Sequence, residues 1–225
     1  MVRLAHLLDT VTDDQLNTAV KVAGWIRSRR DSKAGFSFLE LNDGSCIRSI
    51  QCVAGQDLEN YETEIKRLSA GCAVQVHGKL VQSEGKGQSV EIQATSVQVV
   101  GWVDDPENYP IAKKRHSFEF LRTQAHLRAR TNTFGAVNRV RSRLAQSVHR
   151  FFDERGFFLV HTPIISTSDC EGAGELLRVS HFDLANVPKT DENTVDWNEE
   201  FFGQPTYLTV SGQLHGEALA CAMGQ

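Results

Sequence analysis

Residues 138–175 read NRVRSRLAQSVHRFFDERGFFLVHTPIISTSDCEGAGE, and this stretch decides the fold of the C-terminal half. Apolar side chains at spacings of three and four form one helical face, made of Val137, Val140, Leu144, Val148 and Phe151. Gly156 follows as a helix stop. The apolar run 157–160 has the length of a strand, and Pro163 marks its end or an interface, since proline cannot donate to a sheet ladder. The pattern predicts a long helix, a buried strand and an acidic, Gly-rich loop at 168–175.

The N-terminal part shows a different period, in which apolar side chains alternate. Alternation predicts five strands, beginning at Ala19 and covering about 19–26, 36–41, 47–54, 74–80 and 90–103, with a bulge near Thr95. Residues 42–45, Asn-Asp-Gly-Ser, are a turn, and residues 58–68 have the spacing of a short helix. Five strands with a helix between the third and the fourth follow the order of the OB fold, a small barrel that binds oligonucleotides.

The chain is predicted to divide at an acidic segment with two prolines. Residues 1–103 form the barrel domain, 104–112 the linker, and 113–225 a second domain. In that second domain the long helix starts at a cap, Asn132 or Thr133. Short strands are expected at 176–180 and 206–210, a polar surface excursion at 181–200, and a helix at 218–223.

Charge is unevenly distributed along the chain. The net charge is −4 over residues 1–112, +8 over 113–165 and −8 over 166–225. The basic block could face phosphates, or it could be a solvated helix face. The five cysteines lack C-x-x-C spacing, so we expect free thiols in a cytoplasmic protein, without disulfides or a metal site. No apolar run approaches the ~18 residues of a membrane span, so no membrane partner is expected.

Three stretches together resemble the class II aminoacyl-tRNA synthetases that charge Asp, Asn and Lys. The helix, strand and loop at 138–175 resemble their motif 1 and substrate-closing loop, and residues 24–31, GWIRSRRD, with Phe36–Phe38 resemble the Asp and Asn anticodon barrels. Residues 208–217, LTVSGQLHGE, resemble the bacterial asparaginyl-tRNA synthetase family. The resemblance covers about residues 17–225. It implies an α+β chain, in which an N-terminal five-stranded OB-fold β-barrel precedes the N-terminal part of an antiparallel-sheet catalytic domain.

The family resemblance implies an activity and its partners. Such an enzyme uses ATP and Mg²⁺ to activate asparagine as asparaginyl-adenylate and transfers it to tRNA(Asn). Motif 1 would form a homodimer interface that includes Phe151, Phe157 and Pro163. The side chains position substrates, so no catalytic nucleophile and no protein metal ligand are expected.

The resemblance also assigns an amino-acid site. Gln213 and Glu171 would hold the α-ammonium group, and Glu217 would accept a hydrogen bond from the side-chain amide of asparagine. Aspartyl enzymes carry a lysine where this chain has Gly216, and Glu217 would repel a second carboxylate. Two simpler interpretations stay open: Glu217 as an acid near a helix N-terminus, and Glu171 as a solvated loop acid.

In the barrel the resemblance implies three readers of the central anticodon uridine. Phe38 would stack on the base, while Arg30 and Gln51 would bond to its edge. Phosphate contacts would come from Arg27, Arg29 and Lys33. Alternation cannot decide whether Phe38 or Leu39 faces inward, so Phe38 could also be a core residue.

The two ATP-binding stretches of the family, motifs 2 and 3, do not occur in the 225 residues. We therefore expect the chain alone to be inactive but to bind tRNA. The competing hypotheses are a non-enzymatic OB-fold RNA-binding module or fragment, a paralogue that makes asparagine, and an aspartyl-tRNA synthetase.

Overall fold

The computed structural model describes residues 1–85, 87–112, 114–168 and 176–223. The chain forms two compact units, Met1–Arg143 and Leu144–Gln225. The predicted domain limits at 103 and 113 remain a prediction.

The first unit is built on a closed barrel of five strands, which confirms the OB fold. The strands are β1 (Ala19–Ser32), β2 (Phe36–Asn42), β3 (Ile50–Gly55), β4 (Ala73–Gln82) and β5 (Val90–Gly101). Their order is β1-β2-β3-β5-β4, and β1 closes the barrel against β4. Only the β3–β5 pair is parallel among these strands. The register between β4 and β5 shifts by one residue at Thr95, where the bulge was predicted.

The barrel is filled by alternate side chains from every strand. Its fully buried side chains include Val22, Ile26, Leu39, Leu41, Ile50, Val74, Val76, Leu80 and Ile92. The short helix α1 (Leu4–Asp9) adds Leu4 and Leu7 to the same core. Burial in this core raises the pKa of the Cys52 thiol to about 12, so this thiol stays protonated and unreactive.

Three predictions in the barrel unit were wrong in detail. Strand β1 extends to Ser32 instead of ending at about residue 26. Strand β3 begins at Ile50 rather than 47, because the Asn42 side chain donates to the carbonyls of Cys46 and Arg48 and holds 42–48 as a loop. The helix expected at 58–68 is a series of turns with one 3-10 turn, Ile65–Arg67. Its expected apolar face is nevertheless buried, through Tyr61, Ile65 and Leu68.

A helical segment follows the linker. It contains α2 (Phe118–Thr123), a 3-10 turn (Arg128–Arg130) and the long helix α3 (Asn132–Asp153). The cap of α3 is Thr131, not Asn132 or Thr133, since the Thr131 hydroxyl accepts from the Phe134 N–H at 3.3 Å. Gly156, with φ +81°, ends the helix as predicted, a backbone conformation that favours glycine.

The second unit carries a small antiparallel sheet of order β6-β8-β7. Its strands are β6 (Ile165–Ser166), β7 (Leu177–Val179) and β8 (Thr206–Leu208), and a 3-10 turn spans Trp197–Glu199. The last helix, α4 (Gln213–Met223), begins five residues earlier than predicted. The Ser211 hydroxyl accepts from the Gln213 N–H at its start.

The prediction of a buried strand at 157–160 is wrong. Phe157, Phe158 and Leu159 are exposed, and no strand among the described residues lies beside them. Extended backbone without a neighbouring strand cannot form a ladder, so apolar content alone did not make a sheet.

The described residues include four free cysteines, Cys46, Cys52, Cys72 and Cys221, while Cys170 lies outside them. No helix in the described ranges is long and apolar enough to cross a membrane. Within the same ranges, no group of three His, Cys, Asp or Glu side chains could hold a metal ion.

Candidate functional site

The three predicted base readers lie on one outer face of the barrel. Arg30 on β1 pairs in register with Phe38 on β2, and Gln51 on β3 pairs with Glu40, two residues further along β2. Leu39 and Leu41 occupy the interior, so Phe38 points outward. The structure thereby excludes the interpretation of Phe38 as a core residue.

The Phe38 ring sits among groups that suit a nucleobase. The Arg30 guanidinium carbon lies 5.6 Å from its centroid, and Phe36 packs edge-on at 5.0 Å. A half-buried, outward-facing ring beside a cation offers one stacking surface, and Gln51 on the next strand adds a second hydrogen-bonding group on the same face.

Glu91 on β5 is a member of this face that the sequence analysis missed. Its Oε2 accepts from Gln51 Nε2 at 3.0 Å, from Ser83 Oγ at 2.8 Å and from Gln88 Nε2 at 3.2 Å. The Gln51 amide nitrogen is therefore engaged, which leaves its carbonyl oxygen to accept from a base. The only sequence signal was an acid at an outward position between two buried residues, Val90 and Ile92.

The predicted phosphate contacts differ in their electrostatic environment. Arg29 Nη1 forms an ion pair with Asp31 at 2.5 Å. A hydrogen bond from Ser37, together with Arg29, holds the pKa of Asp31 below its ordinary value, although partial desolvation opposes this. Lys33 is exposed and forms no ion pair within the described residues, so it keeps its full charge for a phosphate.

The amino-acid site is only partly described. Gln213 Nε2 donates to Glu217 Oε1 at 2.9 Å, so two predicted site residues lie one turn apart on α4. The first turn of α4 contains no acid, and Glu217 lies beyond it, which weighs against a helix-dipole role. A Cβ at Gly216 would meet open space. Glu171 lies outside the described residues.

Segment 181–200 was predicted to be a polar surface excursion, but it contains a buried carboxylate, Glu200. This carboxylate accepts hydrogen bonds from residues that directly follow strand β7. Glu200 accepts from Ser180 Oγ at 2.6 Å, from the His181 backbone N–H and ring, and from the Phe201 N–H. Burial works to raise the pKa of Glu200, but these hydrogen bonds outweigh it and lower the pKa to about 2.

The predicted dimer residues belong to an exposed aromatic surface. Phe151 is 50% exposed and Phe157 48%, and Phe152 packs edge-on between them at 5.3 and 5.4 Å. Pro163 is also exposed. Within the second unit the apolar face of α3 continues this surface through Leu144 and Val148, which are 60% and 56% exposed.

Each of the two parts of the chain matches a known protein family. Residues 20–100 match the family described as OB-fold nucleic acid binding domain, and residues 117–225 match the family described as tRNA synthetases class II (D, K and N). The second part of the chain thus belongs to the class II tRNA synthetases of this group, and the first part belongs to the OB-fold family. Within that class, the curated relatives are asparagine–tRNA ligases.

Two curated relatives show how similar the chain is to proteins of this kind. The chain is 59% identical over 211 residues to an asparagine–tRNA ligase of Hahella chejuensis, covering 94% of this chain and 45% of that protein. It is 60% identical over 206 residues to an asparagine–tRNA ligase of Histophilus somni, covering 92% and 44%. The chain thus spans less than half the length of these curated relatives.

Solved structures agree in fold. The asparaginyl-tRNA synthetase of Pyrococcus horikoshii complexed with asparaginyl-adenylate matches with a TM-score of 0.75 at 20% identity, covering 99% of this chain and 45% of that one. The enzyme of Entamoeba histolytica with the same adenylate matches with a TM-score of 0.71 at 22% identity, covering 99% and 45%.

Proposed function

We propose that this chain forms the anticodon-reading barrel and the first part of the catalytic domain of an asparagine–tRNA ligase. The reaction proposed for the whole protein is ATP-dependent activation of asparagine to asparaginyl-adenylate, followed by transfer to tRNA(Asn). The outward ring of Phe38, beside Arg30 and on the same outer face of the OB barrel as Gln51, is the observation that carries the proposal. The relatives named asparagine–tRNA ligase, at 59–60% identity, support it.

In this proposal the barrel reads an unstacked base. The base stacks on Phe38, Arg30 donates to its edge, and the Gln51 carbonyl oxygen accepts its imino N–H. Glu91 makes the last contact selective, because its carboxylate engages the amide nitrogen and fixes which Gln51 atom faces the base. A uridine offers an imino N–H at its centre, whereas a cytidine offers an unprotonated ring nitrogen, so this arrangement favours uridine.

The α4 pair selects the amino acid. Glu217 accepts from the side-chain amide of asparagine and repels the carboxylate of aspartate, and Gln213 binds near the α-ammonium together with Glu171. With glycine rather than lysine at Gly216, the site provides no cation there to pair with aspartate, which disfavours the aspartyl alternative.

The remaining partners, which are ATP, Mg²⁺ and a second copy of the chain, are proposed because the family resemblance implies them. ATP and Mg²⁺ supply the adenylate chemistry, and we assign none of the described residues to them. The homodimer would form through α3 and residues 157–165, where the exposed aromatic side chains Phe151 and Phe157 lie. A cytoplasmic location follows from the site of translation.

The test is binding of anticodon stem-loops by the 225-residue chain at one fixed salt concentration. Stem-loops from tRNA(Asn) with U or C at the central position are compared by filter binding. We expect the U form to bind about 5-fold or more tightly, as a hydrogen-bonding preference of about 1 kcal/mol at the imino N–H requires. Equal binding of the two forms would remove the base-reading role from this barrel.

A further inference from the structure

The first unit contains a cavity of about 920 Å³ on the side of the barrel next to the linker. Trp25 and Arg27 line it from β1, Tyr109 from the linker, and Arg130 from the 3-10 turn before α3. A cavity of this size suits a small ligand or one segment of a larger one.

The lining of this cavity is strongly positive. Four cations reach it, Arg27, Lys114, Arg115 and Arg130. Glu119 is the one carboxylate among the described lining residues, and it faces a cation of its own, with its Oε1 3.7 Å from Arg122 Nη1. Within the described ranges no carboxylate forms an ion pair with any of the four. Their charge is therefore available to a ligand.

Two of the arginines are positioned by neutral partners. Arg27 Nη1 donates to Asn132 Oδ1 at 2.7 Å. Arg130 Nη1 donates to the Tyr109 hydroxyl at 3.3 Å, and its guanidinium carbon lies 4.9 Å from the centroid of the Trp25 ring. Each guanidinium has five N–H donors, so these contacts orient both groups and leave most of their donors free.

The position of the Tyr109 ring, which forms one wall of the cavity, depends on glycine at position 71. Gly71 has φ +96°, and a Cβ there would lie 2.5 Å from Cζ of the Tyr109 ring. Only glycine allows the ring to close this tightly on the barrel. The cavity wall is thus fixed by close packing on the barrel as well as by the arginines.

We propose that this cavity is a phosphate-binding site, which takes either the phosphates of a free nucleotide or a phosphodiester of an RNA backbone. Guanidinium groups bind phosphate oxygens through paired N–H donors, and oriented arginines without carboxylate partners are suited to this. Four cations in one concave site match the dense charge of phosphate better than that of a single carboxylate. The lining of this site does not include Phe38, Arg30 or Gln51, so phosphate binding there does not depend on base reading.

The experiment titrates the 225-residue chain with pyrophosphate and with ATP by calorimetry at low salt. Arg27→Gln and Arg130→Gln should each weaken binding about 10-fold, the usual effect of a lost charged hydrogen bond. Arg130→Lys keeps the charge but not the planar fork and should also weaken binding. The matched control is Lys79→Gln, which removes an exposed cation that does not line the cavity and should change little.

A second arm repeats the variants with the anticodon stem-loop and distinguishes the two sources of phosphate. A loss confined to pyrophosphate and ATP identifies a nucleotide site, and a loss confined to the stem-loop identifies an RNA phosphodiester. Equal losses for Lys79→Gln and the cavity variants, or no loss for any cavity variant, would overturn the proposal. If Arg130→Gln does not fold, exposed Lys114→Gln replaces it. Preference for a central U should persist in every cavity variant, so failure of this site and of the base-reading face can be told apart.

Discussion

Arg30 and Phe38 are cross-strand neighbours on the outside of the barrel, with the guanidinium carbon 5.6 Å from the ring centroid. Both side chains point away from the core that Leu39 and Leu41 fill. The pair therefore contributes little to barrel packing and leaves one aromatic surface for a ligand.

Phe38→Ala should erase the preference for a central uridine, because without the stack the base is no longer held against the Gln51 oxygen that selects it. Loss of one base–aromatic stack costs about 1–3 kcal/mol, which is about a 5- to 150-fold loss of affinity for the U stem-loop. Filter binding of U and C stem-loops measures the ratio. The melting temperature should stay close to that of the parent chain, because the ring lies outside the core. A large drop in melting temperature with an unchanged U/C ratio would show that Phe38 has a packing role.

Lys33→Ala should lower affinity for both stem-loops by the same factor. An ammonium group that contacts phosphate carries no base preference, so its loss reduces the slope of log affinity against log salt by about 1 for duplex contacts, or about 0.7 for single strands. Binding across a salt series gives this slope. A change in the U/C ratio would instead mean that Lys33 contacts a base.

Glu217→Gln should relax selection against aspartate in a protein that includes the rest of the catalytic domain. The substitution removes the repulsion between carboxylates and keeps an acceptor oxygen, so the Asn/Asp ratio of kcat/KM should fall by about 10-fold or more. Steady-state kinetics with both amino acids measure it. His215→Gln, on the same exposed part of α4, is the control and should leave the ratio unchanged.

Glu200→Gln should remove part of the acid sensitivity of the second unit. The folded pKa of Glu200 is lowered from its ordinary value of 4.5 to about 2, so its contribution to stability is complete above pH 4.5 and is lost as the pH falls towards 2. Thermal melts between pH 7 and pH 2 should show a steeper loss for the parent chain than for Glu200→Gln. The neighbouring exposed Glu199→Gln should behave like the parent, and identical pH profiles for all three would contradict the role of Glu200.

Phe157→Arg should weaken self-association through the aromatic surface of Phe151, Phe152 and Phe157. A charged side chain at the centre of an apolar interface is costly to desolvate. Sedimentation velocity at micromolar concentration should show a shift from dimer towards monomer. Leu184→Arg, at a side chain that is 88% exposed outside this cluster, should leave the sedimentation coefficient unchanged.

The sequence by itself determined the local features that depend on period and on special residues. Alternation located the five barrel strands and the bulge at Thr95, and the three-four spacing located α3, because the two backbone geometries place side chains at periods of 2 and 3.6. Gly156 marked the end of α3, since it adopts a positive φ. Three stretches, at 24–31, 138–175 and 208–217, identified the resemblance to class II synthetases.

Tertiary structure decided what depends on contacts between residues distant in sequence. Alternation could not tell whether Phe38 or Leu39 faces inward; closure of the barrel decided it, because only one face of β2 can meet the opposite strands. The run 157–160 has strand composition but no neighbouring strand among the described residues, and a ladder needs two strands. Glu91 joined Gln51 only when β5 lay beside β3, 40 residues apart in sequence. The hydrogen bonds from Ser180 and His181 that lower the pKa of Glu200 likewise form only once residue 200 lies beside the end of strand β7.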